Sequence, residues 1–268
     1  VILSCNGTAV TSAEQFQGLV QAAPEAVRLG VRRGSTAQSV TLTPQTGAGG
    51  GRSIGAWVRD SMAGIGTVTF YDPATGVFGA LGHGITDPDT AQLMPFASGS
   101  LLPSAVKAVK RGTAGSAGEL RGDFMLDECL GRLDANTSCG IFGTLAQSEF
   151  TERLGQAVPA AAREEVHTGA AQILANVEGD SVRRYQAEIT RVSPEDGAGR
   201  NLLLTVTDPA LLAATGGIVQ GMSGSPILQD GKLVGAVTHV LVNDPTRGYG
   251  IFIETMLKET QTLQEAAG

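Results

Sequence analysis

The sequence predicts a mainly β protein: a β-barrel architecture closed by a C-terminal helix and preceded by a small α+β segment. Three observations carry this. Glycine supplies 37 of 268 residues, roughly twice the usual share and without a collagen repeat, so turns must be frequent and strands short. Short runs rich in β-branched residues recur between turn signals along most of the chain. The end differs, with Ile253, Met256, Leu257, Thr260 and Leu263 on one face at helical spacing. A chain this long can hold one large β domain or two smaller ones.

Val1 to Leu3 is a short strand, closed by the turn signal Asn6-Gly7. Ser12 opens a helix, and Gln15 three residues on completes a capping box. Phe16, Leu19, Val20 and Ala23 then give that helix one apolar face. Val27, Leu29 and Val31 alternate as a half-buried strand, Arg33-Gly34 turns the chain, and Val40 and Leu42 alternate again. Residues 46–53, Thr-Gly-Ala-Gly-Gly-Gly-Arg-Ser, read as a flexible linker. Beyond it, Gly66 to Tyr71 and Val77 to Leu81 are strands about the turn Asp72-Pro73-Ala74-Thr75-Gly76. Ala170 to Val177 and Tyr185 to Val192 form a second hairpin, followed by strands at Leu202 to Val206, Pro226 to Leu228 and Leu233 to Val242.

Composition narrows the function. Nineteen basic against 26 acidic residues give a net charge of −7, which argues against a nucleic-acid-binding surface or a polybasic membrane anchor. Cys5, Cys129 and Cys139 cannot all pair; Cys129 and Cys139 have the means to bridge, but buried free thiols are expected. No Cys-x-x-Cys or clustered histidines suggest a structural metal. No apolar run reaches the ~18 residues of a membrane helix. The chain starts at Val1 inside a strand and without Met, which reads as a fragment of something longer.

Gly221-Met222-Ser223-Gly224-Ser225-Pro226 is the segment most suggestive of chemistry. Glycines let the backbone turn sharply and leave room for a substrate carbonyl, and the Gly221 and Ser223 amides would converge on an oxyanion. A glycine–serine turn between strands is the plain alternative. Gly-x-Ser-Gly-x-Pro matches the nucleophile loop of chymotrypsin-like serine proteases. A serine nucleophile needs a base, and His83, in Ala80-Leu81-Gly82-His83 after a strand and well before Ser223, has the order of such folds. His167 reads as a solvated loop residue. Asp208 is the candidate carboxylate to orient His83, in competition with Asp87, Asp89, Asp123 and Asp244; Asp87 and Asp89 look like turn residues.

Longer motifs extend this. The stretch from Gly64 to Pro73 with Gly79-Ala80-Leu81-Gly82-His83, then Asn136-Thr137 and Cys139 to Gly143, resembles the SpoIVB sporulation peptidase family. So does Gly216 to Pro226, continuing through Gly235 to His239 and Asn243-Asp244-Pro245. The resemblance runs from about Ile54 to Leu257 and implies a chymotrypsin-like double β-barrel with Ser223, His83 and Asp208 as its triad. It implies no cofactor. It also implies a role in spore formation: secretion toward the forespore intermembrane space and cleavage of a membrane-bound regulator of sigma-factor processing, with self-cleavage as a second reaction. Residues 1–45 resemble the second half of a bacterial PDZ domain, whose peptide-binding loop and strand would precede Val1. A non-catalytic binding module on the same fold, and a general quality-control protease, are the competing readings.

Specificity has one signal. The stretch Thr215-Gly216-Gly217-Ile218, expected near the base of a pocket for the residue before the scissile bond, carries no acid, so selection of Arg or Lys is not expected. Gly217 and His239 are the candidate substrate-binding residues, the imidazole hydrogen-bonding a Gln or Glu side chain. A histidine packed in the barrel is the alternative.

Overall fold

The computed structural model describes residues 1–267 except 48, 96, 147–148, 153 and 196–198. The chain forms two compact units that divide between Ala63 and Gly64. The first contains β1 (Ile2–Cys5), β2 (Thr8–Ala9), α1 (Ala13–Ala22), β3 (Val27–Arg33) and β4 (Thr36–Leu42). Its strands form one antiparallel sheet in the order β2-β1-β3-β4. Helix α1 starts where the sequence places it, with the Gln15 amide donating to Ser12 Oγ at 3.1 Å. The Gln15 side chain reaches one residue further back than a capping box requires, accepting from the amide and hydroxyl of Thr11. The predicted helix face is the buried one: Phe16, Val20 and Ala23 pack with Cys5, Val27 and Leu29.

The glycine-rich stretch is a hairpin rather than a flexible tether. β5 (Gln45–Thr46) pairs with β6 (Arg52–Ser53), and the Gly47 amide donates to the Gly51 carbonyl at 2.9 Å; Ala48 of that stretch lies outside the described residues. Glycine's freedom at positive φ, used here by Gly50, serves a tight turn as readily as a linker.

In the second unit, β7 (Val68–Tyr71), β8 (Val77–Ala80), β9 (Gly99–Leu101), β12 (Gly131–Thr137) and β13 (Gly140–Leu145) form a five-stranded sheet in the order β7-β8-β13-β12-β9. β10 (Ser104–Lys110) and β11 (Glu119–Phe124) make a separate ribbon. After the short α2 (Glu149–Glu152), six strands close into a barrel in the order β14-β15-β16-β19-β18-β17. These are β14 (Gly169–Asn176), β15 (Val182–Val192), β16 (Leu202–Val206), β17 (Pro226–Gln229), β18 (Lys232–Val240) and β19 (Arg247–Phe252), with α3 (Pro209–Thr215) between β16 and β17 and α4 (Ile253–Ala267) at the end. Two β halves are thus present, one a closed barrel and one a sheet with its accompanying ribbon.

Ile173, Ile189, Leu202, Leu204, Ile227 and Val237 fill the barrel and are fully buried; burial of each such side chain contributes about 1.5–3 kcal/mol. β18 reads as a continuous apolar run because both its faces are covered. Val234 and Val237 belong to the barrel interior, while Leu233 and Ala236 pack with Ile253 and Met256 of α4. Glu254 ties α4 down, accepting from the Arg163 amide at 2.9 Å and from the Lys258 ammonium; chiefly through Lys258, its pKa falls to about 2. Cys5 and Cys139 are free and buried as expected, but Cys129, also free, is exposed. None of the described helices is long and apolar enough to cross a membrane.

Candidate active site

Both candidate loops lie in the second unit. The nucleophile loop begins where α3 ends. Gly216 caps that helix in the left-handed conformation at φ 77°, and Gly217 follows at φ 133° with the Pro245 carbonyl only 2.1 Å from where a Cβ would stand. Gly217 is buried in this seam and its carbonyl accepts from Thr215 Oγ1. It is therefore a packing residue and presents no face to a substrate.

From Gly221 to Ser225 the backbone is one tight turn. The Met222 amide donates to Val219 O, the Gly224 amide to Val237 O at 2.7 Å, and the Ser225 amide to Met222 O. Met222 is buried and anchors the turn. Among the described residues, the Gly221 and Ser223 amides donate to no protein acceptor, so two donors separated by one residue are left for an incoming oxygen, as an oxyanion hole requires. The loop's carbonyls are fastened to the other β half. Thr67 donates through its hydroxyl to Gly221 O at 3.2 Å and through its amide to Ser223 O at 2.9 Å; Thr69 Oγ1 donates to Gly224 O at 2.8 Å.

His83 follows β8 through Leu81 and Gly82, both at φ 69°. Leu81 in that region is strained, and its amide is held by the Thr67 carbonyl at 3.2 Å. At Gly82 a Cβ would stand 2.9 Å from Thr238 Cγ2, so the turn presses on β18 as only glycine allows. Asn136 clamps the outgoing chain, accepting from the Ile85 amide and donating to the carbonyls of Ile85 and Met94. His83 Nδ1 lies 2.9 Å from the Gly84 carbonyl. A carbonyl only accepts, so Nδ1 carries the proton and Nε2 is left as the base, the tautomer general-base catalysis needs.

The two loops meet at β18. Between β18 and β19 the register slips, Val237 facing Gly250 and His239 facing Tyr249, so Thr238 is an extra, bulged residue. Its hydroxyl donates to Gly199 O and its carbonyl accepts Ser223 Oγ at 3.0 Å. Ser223 thus rests on Thr238, and no hydrogen bond joins it to His83 among the described residues. His239 lies ring to ring with His83, centroids 5.1 Å apart and tilted by 37°; the structure places it beside the base. Its Nδ1 is buried and has no hydrogen-bond partner among the described residues. Burial first, then the proximity of His83 and of Arg200, lowers its pKa from 6.5 to about 4.

That shift predicts a pH dependence. The folded-state pKa lies below the unfolded one, so the unfolded chain takes up the proton first. The contribution of His239 is complete above pH 6.5 and is lost as the pH falls toward 4. Stability should drop by about 1–2 kcal/mol across that window, less than the full shift because the ring is partly solvated. His167 acts in the opposite sense, the Thr168 carbonyl and Asp230 raising its pKa, but it is exposed as expected of a loop residue. Urea titrations at pH 7 and pH 4.5 should show the acid loss in the wild type and a flatter profile in His239→Leu; parallel profiles would rule out His239 as the source.

The structure does not bring Asp208 to His83. Asp208 is the N-cap of α3, with Pro209 at the first helical position. Its Oδ1 accepts from the amides of Ala210 and Leu211 and its Oδ2 from that of Gln186. These three hydrogen bonds overcome partial desolvation and lower its pKa. Asp-Pro ahead of an apolar run is itself an N-cap signal, and it accounts for this aspartate's position before the nucleophile loop. Of the competing carboxylates, Asp87 accepts from the amides of Asp89 and Thr90 in a turn, and Asp244 accepts from Thr246. Asp208→Ala should therefore cost about 1–2 kcal/mol of stability, with activity per folded molecule largely kept. Denaturant melts beside hydrolysis rates check this; a folded variant devoid of activity would restore Asp208 to the reaction.

Among the described residues, a serine on a glycine turn, two unengaged amides and an imidazole whose Nε2 makes no hydrogen bond are the parts that a serine hydrolase working by acyl transfer needs. Sequence comparison makes this specific. The family model described as SpoIVB peptidase S55 matches residues 51–257, and the chain belongs to that family: it is a serine peptidase. Among solved structures it is similar to an inactive mutant form of Rv3671c from M. tuberculosis H37Rv, at 13% identity and a TM-score of 0.37, over 63% of this chain and 80% of that one. No curated protein matches.

Proposed function

We propose that this protein is a serine endopeptidase of spore formation that cleaves a membrane-bound regulator, and itself in a second reaction, outside the cytoplasm. The family supports the pathway, and the open pair of amides at Gly221 and Ser223 carries the chemistry. Ser223 Oγ turns from the Thr238 carbonyl to His83 Nε2, gives up its proton there and attacks the scissile carbonyl. The oxyanion is received by the Gly221 and Ser223 amides. His83 returns the proton to the leaving amine, and water, activated by the same imidazole, releases the acyl group. The Gly84 carbonyl keeps the tautomer throughout. Asp208 acts at one remove, by fixing the helix from which the nucleophile loop departs. The chemistry asks for substrate and water alone, and the first unit, PDZ-like in sequence, would serve partner recognition.

A fluorophosphonate probe tests the reading directly. Covalent labelling of the wild type at Ser223 supports it. Absence of labelling in a folded wild type would favour a binding module built on a peptidase fold.

A further inference from the structure

A cationic group stands beside the site that the acyl transfer does not use. Arg200 lies just ahead of β16 and is exposed, its guanidinium carbon 5.5 Å from the centre of the Tyr249 ring. Tyr249 is the register partner of His239, and partners across antiparallel strands project to the same face. The His239 ring in turn lies 5.1 Å from that of His83. Guanidinium, phenol and two imidazoles thus form a row that ends at the base.

Among the described residues no carboxylate pairs with Arg200. The guanidinium is also held in place. The cation–π contact with Tyr249 uses none of the N–H donors, and a guanidinium fits a carboxylate through two parallel N–H hydrogen bonds. Next to it, His239 stays neutral at ordinary pH, so the charge offered along the row is that of Arg200.

We propose that Arg200, steadied by Tyr249, reads an acidic side chain of the peptide substrate close to the scissile bond. The proposal rests on the peptidase reading above and supplies its substrate class: cleavage sites bearing Asp or Glu. The row takes three steps of about 5 Å each and an extended peptide advances about 3.3 Å per residue, which puts the acid within roughly five residues of the cut.

Matched fluorogenic peptides test this, with Glu, Gln or Lys at each of five positions on either side of the cut. At one position the wild type should favour Glu over Gln by about tenfold in kcat/KM and over Lys by more, the preference shrinking with added salt. Arg200→Gln should bring the Glu-to-Gln ratio to about one, and Arg200→Glu should reverse the order of Glu and Lys. A wild-type ratio near one at every position, or a ratio that survives in folded Arg200→Gln, overturns the proposal. Failure to hydrolyse any of the peptides counts against the peptidase reading, and fluorescence anisotropy with Ser223→Ala then decides this one. Tighter binding of the Glu peptide, lost when Arg200→Gln is added, upholds it; equal binding of both peptides overturns it.

Discussion

Ser223→Ala and His83→Ala are each expected to lower peptide hydrolysis by about 10³-fold or more while leaving the fold in place. Neither side chain is part of a core. Among the described residues Ser223 Oγ makes one hydrogen bond, to Thr238 O, whose loss costs about 1 kcal/mol, and His83 bonds only to its neighbour's carbonyl. Because nucleophile and base act as one unit, the double variant should be scarcely slower than either single one. Residual rates with a fluorogenic peptide, beside circular dichroism to establish folding, give the answer. Substantial activity in either folded variant would remove that residue from the reaction.

The second large effect is structural. Gly224→Val should destabilise the second unit by about 3–5 kcal/mol or prevent its folding. Gly224 sits at φ 92°, and a Cβ there would lie 2.0 Å from the Thr67 carbonyl oxygen and 2.5 Å from the Leu81 nitrogen. Backbone occupies the space on both counts, so no side-chain rotation relieves the clash. Gly231 is the control: its φ is 78°, but a Cβ would meet nothing within 4 Å. Gly231→Ala should cost about 1 kcal/mol, the conformational part alone. Urea unfolding of the two variants separates strain from collision; similar midpoints would mean that Gly224 is not at a close approach.

The candidate pair Ser223 and His83 was legible in the sequence because its requirements are local: glycines flanking a serine, and a histidine after a strand and a glycine. Five of the six barrel strands were legible for a similar reason, as in β14, where Ala171, Ile173 and Ala175 alternate with half-exposed residues. What connects the site is not local. The Thr238 bulge arises from a slip in pairing with a strand that carries no marked pattern, Arg247 to Phe252. Thr67 and Asn136 act through backbone groups of distant loops, and Arg200 meets Tyr249 only once the barrel has closed. Asp208 shows the converse error. Its spacing from Ser223 suited a triad, whereas the residues next to it, Pro-Ala-Leu-Leu, already described a capped helix. The strands of 104–124 were under-read because the β10–β11 ribbon buries little apart from Val106 and Leu120, which leaves no alternation to see.

Thr67 and Thr69 hold three successive landmarks of the nucleophile turn, the carbonyls of Gly221, Ser223 and Gly224. The amides that would receive an oxyanion, of Gly221 and Ser223, belong to the peptide planes adjoining these, so their aim is set in part from outside the barrel that carries the serine. Catalytic competence is therefore held jointly, like a lock whose bolt and keeper sit on different panels. A partner or a force that pried the sheet from the barrel would silence hydrolysis before it unfolded either, and reseating the sheet would restore it.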